Sequence, residues 1–295
     1  MSEPRRIAVI GAGSIGLGWA VVFARAGWSV VLHDSNPEML SAAHDGISAR
    51  LTSLVPARIT TAGELGSALD GAEWVQECIV EDLDAKRELF AAIDRRAAPD
   101  AVLASSSSMI AASRWAGDLA GRARALVVHP GNPPYLLPVA ELVPAPFTDP
   151  GITARAGDVL RSVGMTPVVV HGEPEGFVFN RLQGALLREA YCLVRDGVIS
   201  ATDLDQVVSQ GLGRRWAVIG PFTTAQLNTR GGIRRHAQVM GPAYERMGAE
   251  RGQHDPWTPD LVERVAAEVE ARLPADEWED QVRRRDAALI ELFGG

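Results

Sequence analysis

The sequence predicts an α/β protein: a doubly wound parallel sheet followed by a smaller, all-helical domain. Three observations carry that prediction. Short apolar runs alternate with helix-length stretches through the first 170 residues, the pattern of successive strand–helix–strand units. A glycine cluster stands directly behind the first apolar run. After the Gly-, Pro- and charge-rich stretch at 171–176, no convincing strand signal remains.

Arg6-Ile7-Ala8-Val9-Ile10 is short, apolar and ends in glycines, as a strand buried on both faces does. Residues 14–26 make a helix-length stretch that Gly27 stops. A second strand covers 28–33 and is closed by Asp34; a polar helix covers 37–50. Further strands are expected at 73–79, 101–105, 124–129 and 166–170, with a helix over 86–96. In the second half Val178, Leu182, Ala185, Leu186 and Leu193 share a helical face, and Gly197 ends that helix. Ser200 with Asp203 forms the N-terminal cap of the next helix. The tail, 259–293, is amphipathic and charged. The domain boundary falls near residue 174, giving domains of 1–174 and 175–295.

The composition fits this plan. A chain of 295 residues with 46% hydrophobic and 22% charged residues has room for two domains and a sizeable core. A net charge of -8 and a pI near 5.3 argue against nucleic acid or an anionic membrane as partner. No apolar run approaches the roughly 20 residues that a membrane helix requires. The start runs straight into a strand-like segment and leaves no room for a signal peptide, so a cytoplasmic location is expected. Cys78 and Cys192 lie in apolar stretches with no metal or disulfide spacing and read as two buried reduced thiols. No metal site is expected. Of the 29 basic residues only Lys86 is a lysine.

Gly11-Ala12-Gly13-Ser14-Ile15-Gly16 fits G-x-G-x-x-G after a strand and at the opening of a helix. The first glycine permits the tight turn, the second lets backbone approach a pyrophosphate, and the third lets helix pack on strand. The helix N-terminus adds free N–H donors and the positive end of its dipole. Asp34, 18 residues past Gly16, ends the second strand, where a carboxylate accepts bonds from ribose hydroxyls and repels a 2′-phosphate. This is a Rossmann-type site for NAD in preference to NADP.

His129 ends an apolar strand on the carboxyl edge of the sheet, where doubly wound folds bind ligands. An imidazole there can take an alcohol proton while hydride leaves the carbon. Glu141, 12 residues on, is the candidate to orient it. Ser105-Ser106-Ser107-Ser108 forms a polar loop at the same edge, and position alone does not choose between Ser107 and Ser108. Asn180, at the start of the first helix after the linker, is either a helix cap or a substrate contact.

With these stretches, and with QECIVEDL (76–83), HPGNPPYLLPVAELVPAP (129–146), GFVFNRLQ (176–183) and GLGRRWAVIGPF (211–222), the chain resembles the L-3-hydroxyacyl-CoA dehydrogenase superfamily. Within it, the similarity is to the lambda-crystallin / L-gulonate 3-dehydrogenase branch. The resemblance implies an NAD-dependent dehydrogenase of a 3-hydroxyl, with His129 and Glu141 as the catalytic pair. It favours Ser108 as donor to the reacting oxygen and makes Asn180 a substrate-positioning residue. It places Glu81 and Lys86 beside NAD, where the residues alone also allow an exposed ion pair, and makes Asn132 a cofactor or substrate contact. It also implies a homodimer formed mainly through the helical domain.

Members acting on coenzyme A thioesters carry a long basic helical hairpin after the second strand. Here only about forty residues separate Asp34 from Glu73, none of them lysine, and the chain ends ALIELFGG where those members carry an aromatic–glycine terminus. A small free hydroxy acid is therefore expected as substrate. Its carboxylate needs a cation: Arg215 matches the branch's arginine, and Asn228 is a further polar candidate, although Arg214-Arg215 also reads as a surface pair. The alternatives are a 3-hydroxybutyryl-CoA-type dehydrogenase and a non-catalytic, crystallin-like NAD-binding protein.

Overall fold

A computed structural model describes residues 5–48, 58–252 and 258–271, with separate positions at 273–278, 280, 281, 284, 287 and 291. The chain divides into two compact units, Met1–Leu187 and Arg188–Gly295.

The first unit is built on β1 (Arg6–Ile10), β2 (Ser29–His33), β3 (Ile59–Ala62), β4 (Trp74–Glu77), β5 (Val102–Ser105), β6 (Ala125–Pro130), β7 (Val139–Pro144) and β8 (Thr166–Val169). These form one sheet in the order β3-β2-β1-β4-β5-β6-β7-β8. The helices of this unit are α1 (Ser14–Arg25), α2 (Pro37–Ser48), α3 (Leu65–Leu69), α4 (Leu83–Asp94), α5 (Ala112–Ala116) and α6 (Pro150–Ser162). The sheet order reverses at β1, so the carboxyl ends of β1 and β4 open the crevice that such sheets offer a ligand. The central strands are buried along nearly their whole length because apolar layers cover both faces. One layer centres on Trp19 and Phe23 of α1 with Leu160 of α6. The other holds Phe90 of α4 stacked on Trp115 of α5 at 3.9 Å.

Two strands escape the sequence pattern. β3 reads Ile-Thr-Thr-Ala and lies at the sheet edge, where its polar side chains are exposed. β7 sits in a proline-rich stretch and pairs antiparallel with β6, so the sheet is not wholly parallel. The loop at 131–138 is too short for the crossover of a dozen or more residues that a parallel pair needs. β8 then pairs parallel with β7. The expected helix over 37–50 is described to Ser48; 49 and 50 lie outside the described residues.

α7 (Phe179–Arg195) follows, beginning in the first unit and running into the second. The second unit continues with α8 (Ala201–Gln206), a π-helical stretch (Val207–Leu212), α9 (Gly213–Trp216), α10 (Pro221–Asn228), α11 (Gly232–Glu250) and α12 (Pro259–Glu270). Ser200 caps α8, accepting from the Asp203 amide. Much of the expected amphipathic tail beyond Glu270 lies outside the described residues. No residue of α7 is buried, and Leu182, Leu186 and Tyr191 are exposed. No helix among the described residues is long and apolar enough to cross a membrane.

Candidate active site

The glycine loop is shaped by close backbone approach. Gly11 has φ +107°, and a Cβ there would come within 2.6 Å of the Cys78 carbonyl oxygen. A Cβ on Gly16 would lie 1.8 Å from the Gly11 carbonyl oxygen. Gly13 is different: a Cβ would meet no protein atom within 4 Å, so bare backbone faces open space at the head of α1. No side chain caps that helix and no acid occupies its first turn, leaving its N–H groups for an anion. Asp34 accepts from the Ala12 amide at 2.8 Å and from the Asn36 amide at 2.9 Å, which fixes the carboxylate beside the loop. Asp34 lines a cavity of about 390 Å³ with Gly11, Ser35, Ile79, Glu88 and Leu89. A dinucleotide fits this site: apolar walls for an adenine, a fixed carboxylate for its ribose, and a bare helix start for its phosphates.

The serine loop leaves β5 at the same edge. Three of its four hydroxyls are engaged inside the protein. Ser105 donates to Glu77 at 2.5 Å. Ser106 accepts from Trp19 and Gln76. Ser107 donates to Glu81 at 2.5 Å and accepts from the Ile110 amide. Ser108 presents only its backbone to the described residues, donating its amide to Glu81 and accepting from Asn180 Nδ2 at 3.1 Å. Of the two hydroxyls between which position alone does not choose, that of Ser107 is thus engaged with Glu81 and Ile110, and that of Ser108 bonds none of the described residues.

Glu81 gathers the loop on one oxygen, taking the Ser107 hydroxyl and the amides of Ser108, Met109 and Ile110. Burial pushes its carboxyl up, but the Ser107 hydroxyl, the Met109 amide and Lys86 together hold it below the ordinary carboxylate range. Lys86 is not a surface group: it is 1% exposed and bonds Glu77 at 2.8 and 3.0 Å. Glu77, fully buried at the end of β4, was not singled out by the sequence reading, although an acid closing an apolar strand run was its signal.

His129 and Glu141 are register partners across β6 and β7, so both side chains leave the same face of the sheet. His129 Nδ1 lies 2.8 Å from Glu141 Oε2, with both residues almost wholly buried. Glu141 Oε1 accepts from the amides of Val178 and Phe179 at 2.8 and 3.0 Å. Burial pushes Glu141 up; the His129 bond and these two amides outweigh it and hold its pKa below the usual value. A carboxylate only accepts, so Nδ1 carries a proton, and in the neutral ring the lone pair is on Nε2. The linker delivers those amides by turning sharply: Gly176 has φ +74° and Phe177 φ +50°, and Phe177 is buried against the imidazole with ring centroids 5.7 Å apart. Asn180 follows on the first turn of α7. Asn132 is exposed in the loop after His129.

Arg215 and Asn228 belong to the second unit, where both line a cavity of about 640 Å³ with Trp216, Phe222, His236 and Tyr244. Arg214 is exposed; Arg215 is half-buried, and its Nε is buried with no hydrogen-bond partner among the described residues. The two cysteines are unpaired and half-buried, less enclosed than the sequence suggests. No group of three or more metal-ligating side chains occurs among the described residues.

The chain matches known proteins along both units. The NAD binding domain of 3-hydroxyacyl-CoA dehydrogenase matches residues 6–173, and that enzyme's C-terminal domain matches 176–272. Lambda-crystallin of Oryctolagus cuniculus is 35% identical over 96% of this chain and 95% of its own. The L-carnitine dehydrogenase/betainyl-CoA thioesterase of Agrobacterium fabrum is 34% identical over 98% of this chain and 61% of its own. Among solved structures, a 3-hydroxyacyl-CoA dehydrogenase of Archaeoglobus fulgidus superposes with a TM-score of 0.77 at 26% identity, over 98% of this chain and 99% of that one. Two successive family matches that run from β1 through α12, over an NAD cradle in which Gly11 and Gly16 leave no room for a Cβ, place the chain in the 3-hydroxyacyl-CoA dehydrogenase family, NAD-dependent oxidoreductases acting on CH–OH groups.

Proposed function

We propose that the protein oxidises the 3-hydroxyl of a small free hydroxy acid, L-gulonate-like, with His129 as general base. The observation that supports this best is the buried Nδ1–Glu141 contact, which leaves Nε2 of the neutral ring to accept a proton. When bound, NAD supplies the hydride acceptor. His129 Nε2 takes the alcohol proton, and Glu141 stabilises the imidazolium that forms. The Ser108 hydroxyl donates to the oxygen as it passes from alcohol to carbonyl. Asn180 braces Ser108 through its carbonyl oxygen and orients the substrate with its remaining amide oxygen. Gly11, Gly13, Ser14, Ile15, Gly16, Asp34, Glu81, Lys86 and Asn132 make up the cofactor side of the site.

For the substrate's carboxylate we assign Arg215, with Asn228 as a polar neighbour in the same cavity. A planar guanidinium pairs a carboxylate bidentately, which a lysine ammonium does not reproduce. The kinship with an L-carnitine dehydrogenase, whose named substrate is a free 3-hydroxy acid, supports this class. Kinship with a 3-hydroxyacyl-CoA dehydrogenase supports the second reading, a thioester substrate. The enzyme works as a cytoplasmic homodimer formed through the helical domain, with the exposed apolar side chains of α7 covered in the dimer.

The test is NAD reduction measured side by side on L-gulonate, L-carnitine, 3-hydroxybutyrate and 3-hydroxybutyryl-CoA, with the parent and Arg215→Lys. Turnover of a free acid, with KM raised in the variant, supports the proposal. Turnover of the thioester alone supports the second reading. NADH binding without turnover of any substrate supports a non-catalytic role.

A further inference from the structure

We propose that the buried Glu77–Lys86 ion pair acts, through Glu81, as a clasp that positions Ser108 for the reaction. The inference rests on the catalytic reading above, gives Glu77 a role, and adds a positioning role to Lys86 beside its place on the cofactor side. Lys86 Nζ reaches both oxygens of Glu77 at 2.8 and 3.0 Å and Oε2 of Glu81 at 3.4 Å. From that ammonium two arms run to the serine loop. In one, Glu77 Oε2 takes the Ser105 hydroxyl, whose oxygen accepts the Ser107 amide at 3.1 Å. In the other, Glu81 Oε1 takes the Ser107 hydroxyl and the amides of Ser108, Met109 and Ile110 at 2.5 to 3.3 Å. Both ends of the loop are therefore referred to one point charge. The Ser108 carbonyl, in turn, accepts from Asn180.

Burying an ion pair gives less stability than well-packed apolar side chains of the same volume. Its retention under this loop has a purpose if the loop must hold one hydroxyl to within a fraction of an ångström. The only lysine in the chain stands here. A compact ammonium serves three carboxylate oxygens converging on one point, which a wider planar guanidinium would not fit.

The experiment is a double-mutant cycle in the full chain. Glu77→Gln/Lys86→Met removes the two charges together, so neither is left unpaired in the core. Glu81→Gln is the second arm and leaves the buried pair in place. Hydrogen exchange is read on the peptide covering 105–110, and NADH affinity by tryptophan fluorescence. kcat is read on whichever of L-gulonate, L-carnitine or 3-hydroxybutyrate turns over fastest. Exchange at 105–110 is expected to speed up about tenfold while the glycine-loop peptide is unchanged. kcat, at NAD concentrations that saturate each variant, is expected to fall at least about tenfold. In a Ser108→Ala background the same substitutions should lower kcat by less than about twofold further, because the loop then has no hydroxyl to place. A purely structural role would instead multiply the loss in both backgrounds. Parent-like exchange at 105–110, parent-like kcat in a folded variant, or full multiplicative loss over Ser108→Ala overturns the clasp. Ser108→Ala that leaves kcat unchanged refutes the role of Ser108 itself, a separate result visible before either clasp variant is made.

Discussion

Replacing Glu141 by glutamine tests the orientation of the catalytic imidazole with little change of shape. The carboxylate makes three bonds: His129 Nδ1 at 2.8 Å and the amides of Val178 and Phe179 at 2.8 and 3.0 Å. A glutamine oxygen can still accept from both amides. Its NH₂ group then faces Nδ1, which must become the acceptor, and the ring proton moves to Nε2. The lone pair that should take the alcohol proton is lost, and so is the charge that stabilises the imidazolium. Correct acid–base placement contributes roughly 100- to 10,000-fold, so kcat should fall within that range. Two bonds to a charged acceptor become neutral, each weakened by about 1 kcal/mol, so stability should drop by roughly 2 kcal/mol. Glu141→Ala should cost more, about 3–5 kcal/mol, since it strips a buried partner outright. Stopped-flow single turnover gives the chemical step, and urea unfolding gives stability. A Glu141→Gln enzyme with kcat within a few-fold of the parent would refute the tautomer argument.

Other outcomes follow from the same geometry. Asp34→Ala should lower the NAD-to-NADP ratio of kcat/KM roughly a thousandfold, since like charges about 4 Å apart at a partly buried site repel by about 4 kcal/mol; equal use of both cofactors by the parent would contradict it. Gly16→Ala should abolish NADH binding or folding, because the new methyl would stand 1.8 Å from the Gly11 carbonyl oxygen; isothermal titration reads the first and circular dichroism the second. Glu141 has its folded pKa held below its ordinary 4.5. Its contribution to stability is present above that value and is lost as pH falls through the lower folded value. As pH falls below that ordinary value the parent should therefore lose stability more steeply than Glu141→Gln, as followed by thermal melting at fixed ionic strength.

The parts of the site that are local in sequence were legible there. Gly11, Gly13, Gly16 and Asp34 lie within one strand–helix–strand unit, and a chain of that pattern has few ways to fold. His129 and Glu141 were legible as candidates, but what pairs them is the antiparallel register of β6 and β7. That register was hidden because β7 is flanked by prolines that read as loop. β3 was hidden for another reason: an edge strand needs little apolar content, and Ile-Thr-Thr-Ala shows no alternation. Glu77 and Lys86 were the hardest to read. Their residue types belong on surfaces, and only the tertiary fold brings a strand end and a helix face together around a buried charge pair. The chain's two compact units part inside α7 at Leu187, whereas the Gly/Pro cluster suggests 174. The first turn of α7 is bonded to Glu141 and Ser108, and so it packs with the sheet that precedes it.

The central claim is that His129 removes the alcohol proton, and the most direct measurement is His129→Ala under saturating NAD and hydroxy acid. Turnover should fall by roughly 100- to 10,000-fold, while NADH affinity, read by fluorescence titration, stays within a few-fold of the parent. Near-normal turnover in a variant that binds NADH normally would contradict the account.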